Sequence, residues 1–473
     1  MTARRVEWAV LLVGIAACVC APQAARGQSA GAAPAASLTA PRLEAPPLPA
    51  ATAGVVPVDR EITLDEAIAI ALAHQPGLAL ARYNAEAARY RVREAASALY
   101  PSLSISGQHT HTGPGATGTG SVGGVLTTGG YTTNFSAREL IYDFGRTPAS
   151  VSQARRQAES ADQAFEQALL DAVSQVKQGY YTLLQDQALV TVQQQTVDDQ
   201  RAHLALAQAR FQAGVAARVD VASAEAAVAG AILNLATAEN TAATARVALN
   251  LALGVDVRTP TRVKEAQEPE PPVMDAAALV EQALERRPAV RQARADVEAA
   301  RSSIRVARAN NLPSLSLDGN YGLRGSSFPP TDESWAYGVS LSWPIGDVGL
   351  TSGKIGEAEV NLLVAETSLR QTEQTVGSEV VQAYLNVQTA HQKVSTSETE
   401  VVSAEESLRL ATGRYQAGVA TYLEVLDAET AATTARTNLV NARYALSTSL
   451  AALAAALGAE TIKQETTPAA PGG

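Results

Sequence analysis

Two acidic residues near the C-terminal end, Glu424 and Asp427, stand three apart in a segment with a helical pattern. On a helix that spacing puts both carboxylates on one face. There they could select ions by sign, or simply form side-chain pairs on a solvated surface. His109 and His111 stand two apart, on one face of a strand, with no cysteine or carboxylate close by. They make a poor metal site and read as ordinary polar strand residues. Both cysteines, Cys18 and Cys20, lie in the first twenty residues, so the body holds no disulfide framework and no cysteine-ligated metal. No glycine-rich phosphate loop follows a strand, and no convincing catalytic group is present. Neither an enzyme nor a cofactor is expected.

The elements that would position these residues occur twice. Arg210 opens RFQAGVAARVDVASAE and Arg414 opens RYQAGVATYLEVLDAE, a spacing of 204 residues. The same spacing relates Tyr180 to Tyr384 and Leu253-Gly254 to Leu457-Gly458. An earlier block repeats at a spacing of 212, pairing Leu72 with Leu284, Pro76 with Pro288, and Pro101–Ile105 with Pro313–Leu317. The unit is far longer than the 20–50 residues of solenoid repeats. The change of spacing places extra residues between Ile105 and Phe135, where a loop tip is expected.

Composition narrows the classes. The chain has 473 residues, a net charge of -10, 4% aromatic and 18% charged residues, and its apolar content is largely alanine. A negative chain without a basic stripe argues against nucleic acid, and alanine suits helices that approach closely. The N-terminus carries Arg4 and Arg5, an apolar core from Trp8 to Val19, and the small-x-small site Ala25-Arg26-Gly27, the parts of an export signal. Ile15-Ala16-Ala17-Cys18 also resembles a lipobox, so both cleavage near Gly27 and lipidation at Cys18 remain open. No other stretch is expected to reach the roughly 18 apolar residues a membrane-spanning helix requires. A membrane crossing would be made by strands.

The expected organisation is a signal at 1–27, an Ala/Pro-rich disordered leader at 28–61, a first repeat at 62–258, a linker at 259–274, a second repeat at 275–458 and a disordered tail at 459–473. The first repeat holds helices at 63–99 with a break at Pro76, a hairpin at 101–142, a long helix at 147–211 and a return helix at 219–253. The second holds helices at 275–310, a hairpin at 313–345, a long helix at 350–414 and a return helix at 423–457. Ser102–Ser106 and Ser314–Leu317 alternate with period two, a strand signal. Trp335, Tyr337, Val339, Leu341 and Trp343 share one face of a later strand, and Tyr131 and Phe135 the equivalent face in the first copy. No proline occurs between Pro148 and Pro260 or between Pro344 and Pro468, as long helices require. Val151, Ala154, Ala158, Ala161, Phe165, Ala168 and Ala172 step by three and four, as in coiled coils.

Two hairpins give four strands with apolar, aromatic faces. Four strands cannot close a barrel, and an open edge in lipid leaves costly unpaired backbone groups. The chain is therefore expected to share a barrel with copies of itself, eight strands in a dimer or twelve in a trimer. The aromatic rings, Tyr131, Trp335 and Trp343 above all, suit its interfacial girdles. The rivals are a soluble hairpin on a helical protein, a poreless coiled-coil scaffold, and a stand-alone porin, which would need strands throughout.

In the two-fold repeat, the helix-proline-strand junctions at Pro101 and Pro313, the Tyr415-Gln416-Ala417-Gly418 turn, Tyr422–Ala428, and Asn441-Ala-Arg-Tyr444 leading to Leu457-Gly458, the chain resembles the TolC-like outer-membrane efflux proteins over about residues 62 to 458. The resemblance implies an α-dominant homotrimer with a twelve-strand membrane β-barrel and a long coiled-coil helical conduit in the periplasm of a Gram-negative bacterium. It implies a passive exit duct for small molecules, joined through a periplasmic adaptor to an inner-membrane pump; a protein-secretion duct is the alternative. It places Glu424 and Asp427, with Asp220 at the corresponding first-copy position, at the constricted entrance. It makes Gln212-Ala213-Gly214 and Gln416-Ala417-Gly418 the adaptor-docking turns. The first copy departs from the pattern at Ala217-Arg-Val-Asp220, and Ser223 stands where Asp427 stands.

Overall fold

A computed structural model describes residues 61–111, 129–265 and 275–458. The export signal with Cys18, most of the leader, most of the first hairpin's loop, residues 266–274 of the linker and the C-terminal tail lie outside the described residues. In chain order the elements are β1 (Glu61–Ile62), α1 (Leu64–His74), α2 (Pro76–Ser97), β2 (Ser102–His111), β3 (Gly129–Tyr142), α3 (Arg146–Gln212) and α4 (Arg218–Leu253). The second repeat follows β4 (Arg262–Val263), with α5 (Ala276–Arg286), α6 (Pro288–Ala309), β5 (Ser314–Gly325), β6 (Asp332–Ser342), α7 (Leu350–Gln416) and α8 (Tyr422–Ala456).

Local chemistry explains the boundaries. Thr63 caps α1 through a reciprocal capping box with Glu66. Pro76 and Pro288 each stand first in a helix, where their missing N–H costs nothing. The two long helices have 67 residues each, a length of about 100 Å at about 1.5 Å per residue. Each begins from Asp-x-Gly-x-Thr. Gly145 and Gly349 take φ of 92° and 96°, and the Asp143 and Asp347 carboxylates accept the N–H of Thr147 and Thr351 at 2.7 and 2.8 Å. This anion-on-N-terminus arrangement recurs at the repeat spacing.

Each return helix packs along its long helix, α4 on α3 and α8 on α7, while α8 and α6 also pack on α3 and join the two copies. None of the coiled-coil seam residues from Val151 to Ala172 is exposed. One core cluster gathers Ile62, Val176, Tyr180, Leu183, Leu249 and Leu253, and its counterpart gathers Leu279, Val290, Val376, Val380, Leu450 and Leu453. Tyr180 reaches further, donating to the carbonyls of Ile62 and Lys264 at 2.9 and 2.5 Å. It thereby pins the parallel β1–β4 pair.

One expectation needs correction. The helix α4 is long and apolar enough to cross a membrane by length and composition, with a mean hydropathy of 1.4 over its most apolar window. Its hydropathy comes from alanines and scattered Val, Leu and Ile punctuated by Asn, Thr and Glu. Only 11% of that window is buried within the chain, so α4 offers a long apolar face beside α3.

Candidate functional site

The four longer strands form one sheet in the order β2-β3-β5-β6, antiparallel throughout. Its register sorts the side chains. Leu103, Ile105 and His109 pair with Ala137, Phe135 and Tyr131; Phe135 pairs on with Tyr321, and Tyr321 with Trp335. Leu315, Leu317, Tyr337, Val339 and Leu341 fall on that same face by the same pairing. The opposite face carries Ser102, Ser104, Ser136, Asn134, Ser316, Asp318, Asn320 and Ser340. One side is thus mainly aromatic and aliphatic, with Glu139 and Glu333 placed on it beside Leu317 and Leu323, and the other is almost wholly hydroxyl, amide and charge.

Aromatic rings gather at both ends of the apolar face. At the end away from the helices, His109 stacks on Tyr131 at 4.2 Å and Tyr131 meets Phe328 edge-on. His109 is therefore part of the aromatic surface, where alternation alone had marked it as a plain polar strand residue. Trp335 and Tyr337 stack at 5.9 Å. At the helical end Tyr142 meets Phe144 at 4.8 Å, and Trp343 donates to the Asn311 carbonyl at 3.2 Å. On the polar face Asp318 sits 3.4 Å from the Arg138 guanidinium and accepts from Ser340, while Arg138 also donates to Ser316.

The far ends of the long helices form the second candidate region. Both turns are built alike. Gly214 and Gly418 take φ of 75° and 76°, and Val215 and Val419 return their N–H to the carbonyls of Arg210 and Arg414 at 3.0 Å. This backbone pattern ends a helix at a left-handed residue. Gln212, Ala213, Gln416 and Ala417 lie on these exposed tips. Glu424 closes a capping box with Thr421 at the start of α8 and also pairs with Arg414 at 3.1 Å. Asp427 is exposed on the next turn. Asp220 lies instead near Tyr415 and Tyr422, whose phenols burial pushes upward, with a further rise from the Asp220 charge. Within the chain Glu424 and Asp220 thus have different neighbours, Arg414 for the one and the Tyr415–Tyr422 pair for the other.

Several residues of this region carried no functional reading in the sequence. Arg210 lies 4.7 Å over the Tyr415 ring and donates to the carbonyls of Tyr415 and Gln416 at 2.6 and 2.9 Å. Tyr415 and Tyr422 meet edge-on at 5.7 Å, their hydroxyls buried without a hydrogen bond. Above them Glu429, 1% exposed, faces His203 at 3.6 Å. Arg436 bridges Asp199 and Glu405 at 3.4 and 3.0 Å. Burial pushes the Asp199 carboxyl up, and the Glu429 charge adds to that. The arginines opened both repeats, so their recurrence was visible; the seam between copies that gives Arg210 its partners was not.

Comparison with known proteins agrees with this geometry. The sequence profile of the outer membrane efflux protein family matches residues 67–255 and 279–459. "Protein CyaE" of Bordetella pertussis is 30% identical over 420 residues, covering 85% of each chain. "Probable efflux pump outer membrane protein TtgC" of Pseudomonas putida is 27% identical over 407 residues, covering 84% of this chain and 82% of its own. Among solved structures, CusC superposes with a TM-score of 0.75 at 23% identity, covering 84% of this chain and 92% of that one. The outer membrane protein VceC of Vibrio cholerae superposes with a TM-score of 0.73 at 22% identity, covering 84% and 96%. These structures share the fold.

Proposed function

Because this chain belongs to the outer membrane efflux protein family, we propose that three copies assemble into the passive exit duct of a tripartite pump. The carrying observation is the sheet, with an aromatic face, a polar face and two edge strands, β2 and β6, each paired on one side and with no strand on its outer side among the described residues. Since the order alternates in direction, β6 of one copy can pair antiparallel with β2 of the next. Three copies make twelve strands and leave no edge in lipid. The aromatic face meets lipid and the serine-rich face lines the lumen. The exposed apolar residues of α4 (Ile232, Leu233, Val247, Leu251) and of α7 (Val360, Leu363, Val364, Leu385) become contacts between copies.

The 67-residue helices extend this lumen into the periplasm. The two small-residue turns, at Gln212–Gly214 and Gln416–Gly418, offer an adaptor a close approach. Glu424, Asp427 and Asp220, repeated around the axis, set a negative entrance. Energy comes from the pump, and small molecules efflux through the duct. The test is the accumulation of a fluorescent cationic dye in cells lacking this protein. Higher accumulation that falls on re-expression supports small-molecule efflux; equal accumulation removes it.

A further inference from the structure

One cavity lies apart from the sheet and the helix tips. It encloses about 370 Å³ between α2, α3 and α6, a volume within the usual range of small-ligand sites. Its floor is alanine, from Ala87, Ala88, Ala154 and Ala161. Its polar groups are Asn84 and Arg91 of α2, Gln157 and Ser160 of α3, and Asp296 of α6. Elsewhere in this layer charges meet across helices. Arg89 lies 3.0 Å from Asp162, Arg301 3.5 Å from Glu366 and Arg308 2.9 Å from Glu359. Arg91 and Asp296 share the cavity, yet neither makes an ion pair or a hydrogen bond with any described residue.

The duplication separates what packs from what is left over. At the repeat spacings the four alanines recur as Ala299, Ala300, Ala358 and Ala365, so the floor serves helix packing. The cation and the hydroxyl do not recur. Ser303 stands in the place of Arg91 and Val364 in that of Ser160, and Val364 is 61% exposed. Packing therefore does not require Arg91 or Ser160.

We propose that this cavity binds a zwitterion with an apolar body. The ligand's carboxylate meets Arg91, its ammonium meets Asp296, and its apolar part lies on the alanine floor. A ligand with a single charge answers only one of the two side chains, whereas a zwitterion answers both. A guanidinium also offers a carboxylate two parallel hydrogen bonds. Asn84, Gln157 and Ser160 supply donors and acceptors for amides or hydroxyls between the charged ends. The side on which the cavity opens rests on the duct reading; the binding does not. The coiled-coil seam steps by seven through Val151, Ala158, Phe165 and Ala172. On that register Gln157 falls on the far side of α3 from Tyr180, which holds the β1–β4 pair. In a closed ring the side bearing β1, β4 and α1 faces outward, because three such clusters inside would fill the bore. The cavity then opens on the lumen, and the wall of the duct carries a subsite for zwitterionic cargo in every copy.

The full-length protein in detergent is titrated with Nε-dansyl-lysine, followed by fluorescence anisotropy. Two further probes share its body and differ only in charge: dansylcadaverine lacks the carboxylate, and dansyl-ε-aminocaproate lacks the ammonium. The zwitterion should bind about tenfold more tightly than either. Arg91→Gln should remove its advantage over dansylcadaverine, and Asp296→Asn its advantage over dansyl-ε-aminocaproate. Equal binding of the three probes, or variants that bind as wild type does, would overturn the site. The lumen placement has its own readout. Gln157→Cys labelled with a bulky maleimide should lower single-channel conductance relative to wild type treated alike. Unchanged conductance with zwitterion binding intact would overturn the placement and leave the site standing. A protein that binds the zwitterion but forms no channel would overturn the duct reading alone.

Discussion

At the scale of residues, the seam between the copies is polar where the hairpins themselves are apolar. The Glu429 carboxylate receives no hydrogen bond, and the His203 imidazole at 3.6 Å is the group opposite it. Removing one member of such a buried pair leaves the other unsatisfied, at a cost of about 1–3 kcal/mol. Removing both with apolar residues can be nearly neutral. His203→Leu should therefore lower the thermal midpoint of the purified protein, and His203→Leu with Glu429→Met should recover most of the loss. Equal midpoints for the single and double variants would show that the two residues do not interact. Tyr180 gives a pH-dependent counterpart. Burial pushes its phenol up to about 12. The folded state thus holds this proton more tightly than the unfolded chain. The associated stability is complete below the ordinary phenol range near 10, and it is lost as pH rises towards about 12. Absorbance at the tyrosinate band should show a late-titrating phenol that Tyr180→Phe removes. Tyr180 was legible only as one of a repeated pair. Its partners, Ile62 and Lys264, are 118 and 84 residues away, a separation no local pattern encodes.

At the scale of elements, the sequence carried most of the architecture, and the reason is physical. Proline-free runs, period-two alternation and steps of three and four are local consequences of backbone geometry, and duplication lets each copy check the other. The junctions were less visible. Asp143-Phe144-Gly145 and Asp347-Val348-Gly349 repeat at the same spacing, yet their role depends on an aspartate bonding four residues ahead onto a helix start. Gly254 and Gly458 were visible as repeated glycines, but not the reason for them. A Cβ on Gly254 would lie 2.6 Å from the His74 carbonyl oxygen, and its φ is 72°. The end of α4 therefore abuts the break between α1 and α2, as Gly458 abuts Arg287 in the other copy. Gly254→Ala should cost about 1–3 kcal/mol through strain and contact, read as a drop in thermal midpoint. Gly230→Ala, within α4 and with open space at its Cβ, should be neutral or mildly stabilising. The adaptor-docking reading belongs to this scale too. Gly418→Trp should abolish dye efflux while leaving the level of assembled protein unchanged, and normal efflux by that variant would move docking elsewhere.

At the scale of the whole molecule, the sheet decides what the duct does to charge. Its polar face is rich in hydroxyls, and where full charges meet there they cancel, Arg138 lying 3.4 Å from Asp318. Exposed pairs of this kind contribute little to stability, so their consequence is electrostatic. In the proposed trimer each pair is repeated three times around the lumen and adds no net charge there. On the proposed reading, sorting falls to the entrance acids, of which Asp427 is exposed in the chain. The alternation of Ser102–Ser106 made the strands legible but not this balance, because Arg138 and Asp318 come from different copies and meet only through the β3–β5 register. Asp318→Asn separates the two contributions. It leaves three uncompensated Arg138 guanidinium groups in the barrel while the entrance acids stay intact. In planar bilayers under a salt gradient, its reversal potential should move towards anion preference relative to wild type. Glu424→Gln with Asp427→Asn should likewise reduce cation preference, but from the other end of the duct, and the two shifts should add because the sites share no partners. If Asp318→Asn leaves the reversal potential where it was, the polar face does not line the conducting path, and the assignment of lipid and lumen to the two faces of the sheet is wrong.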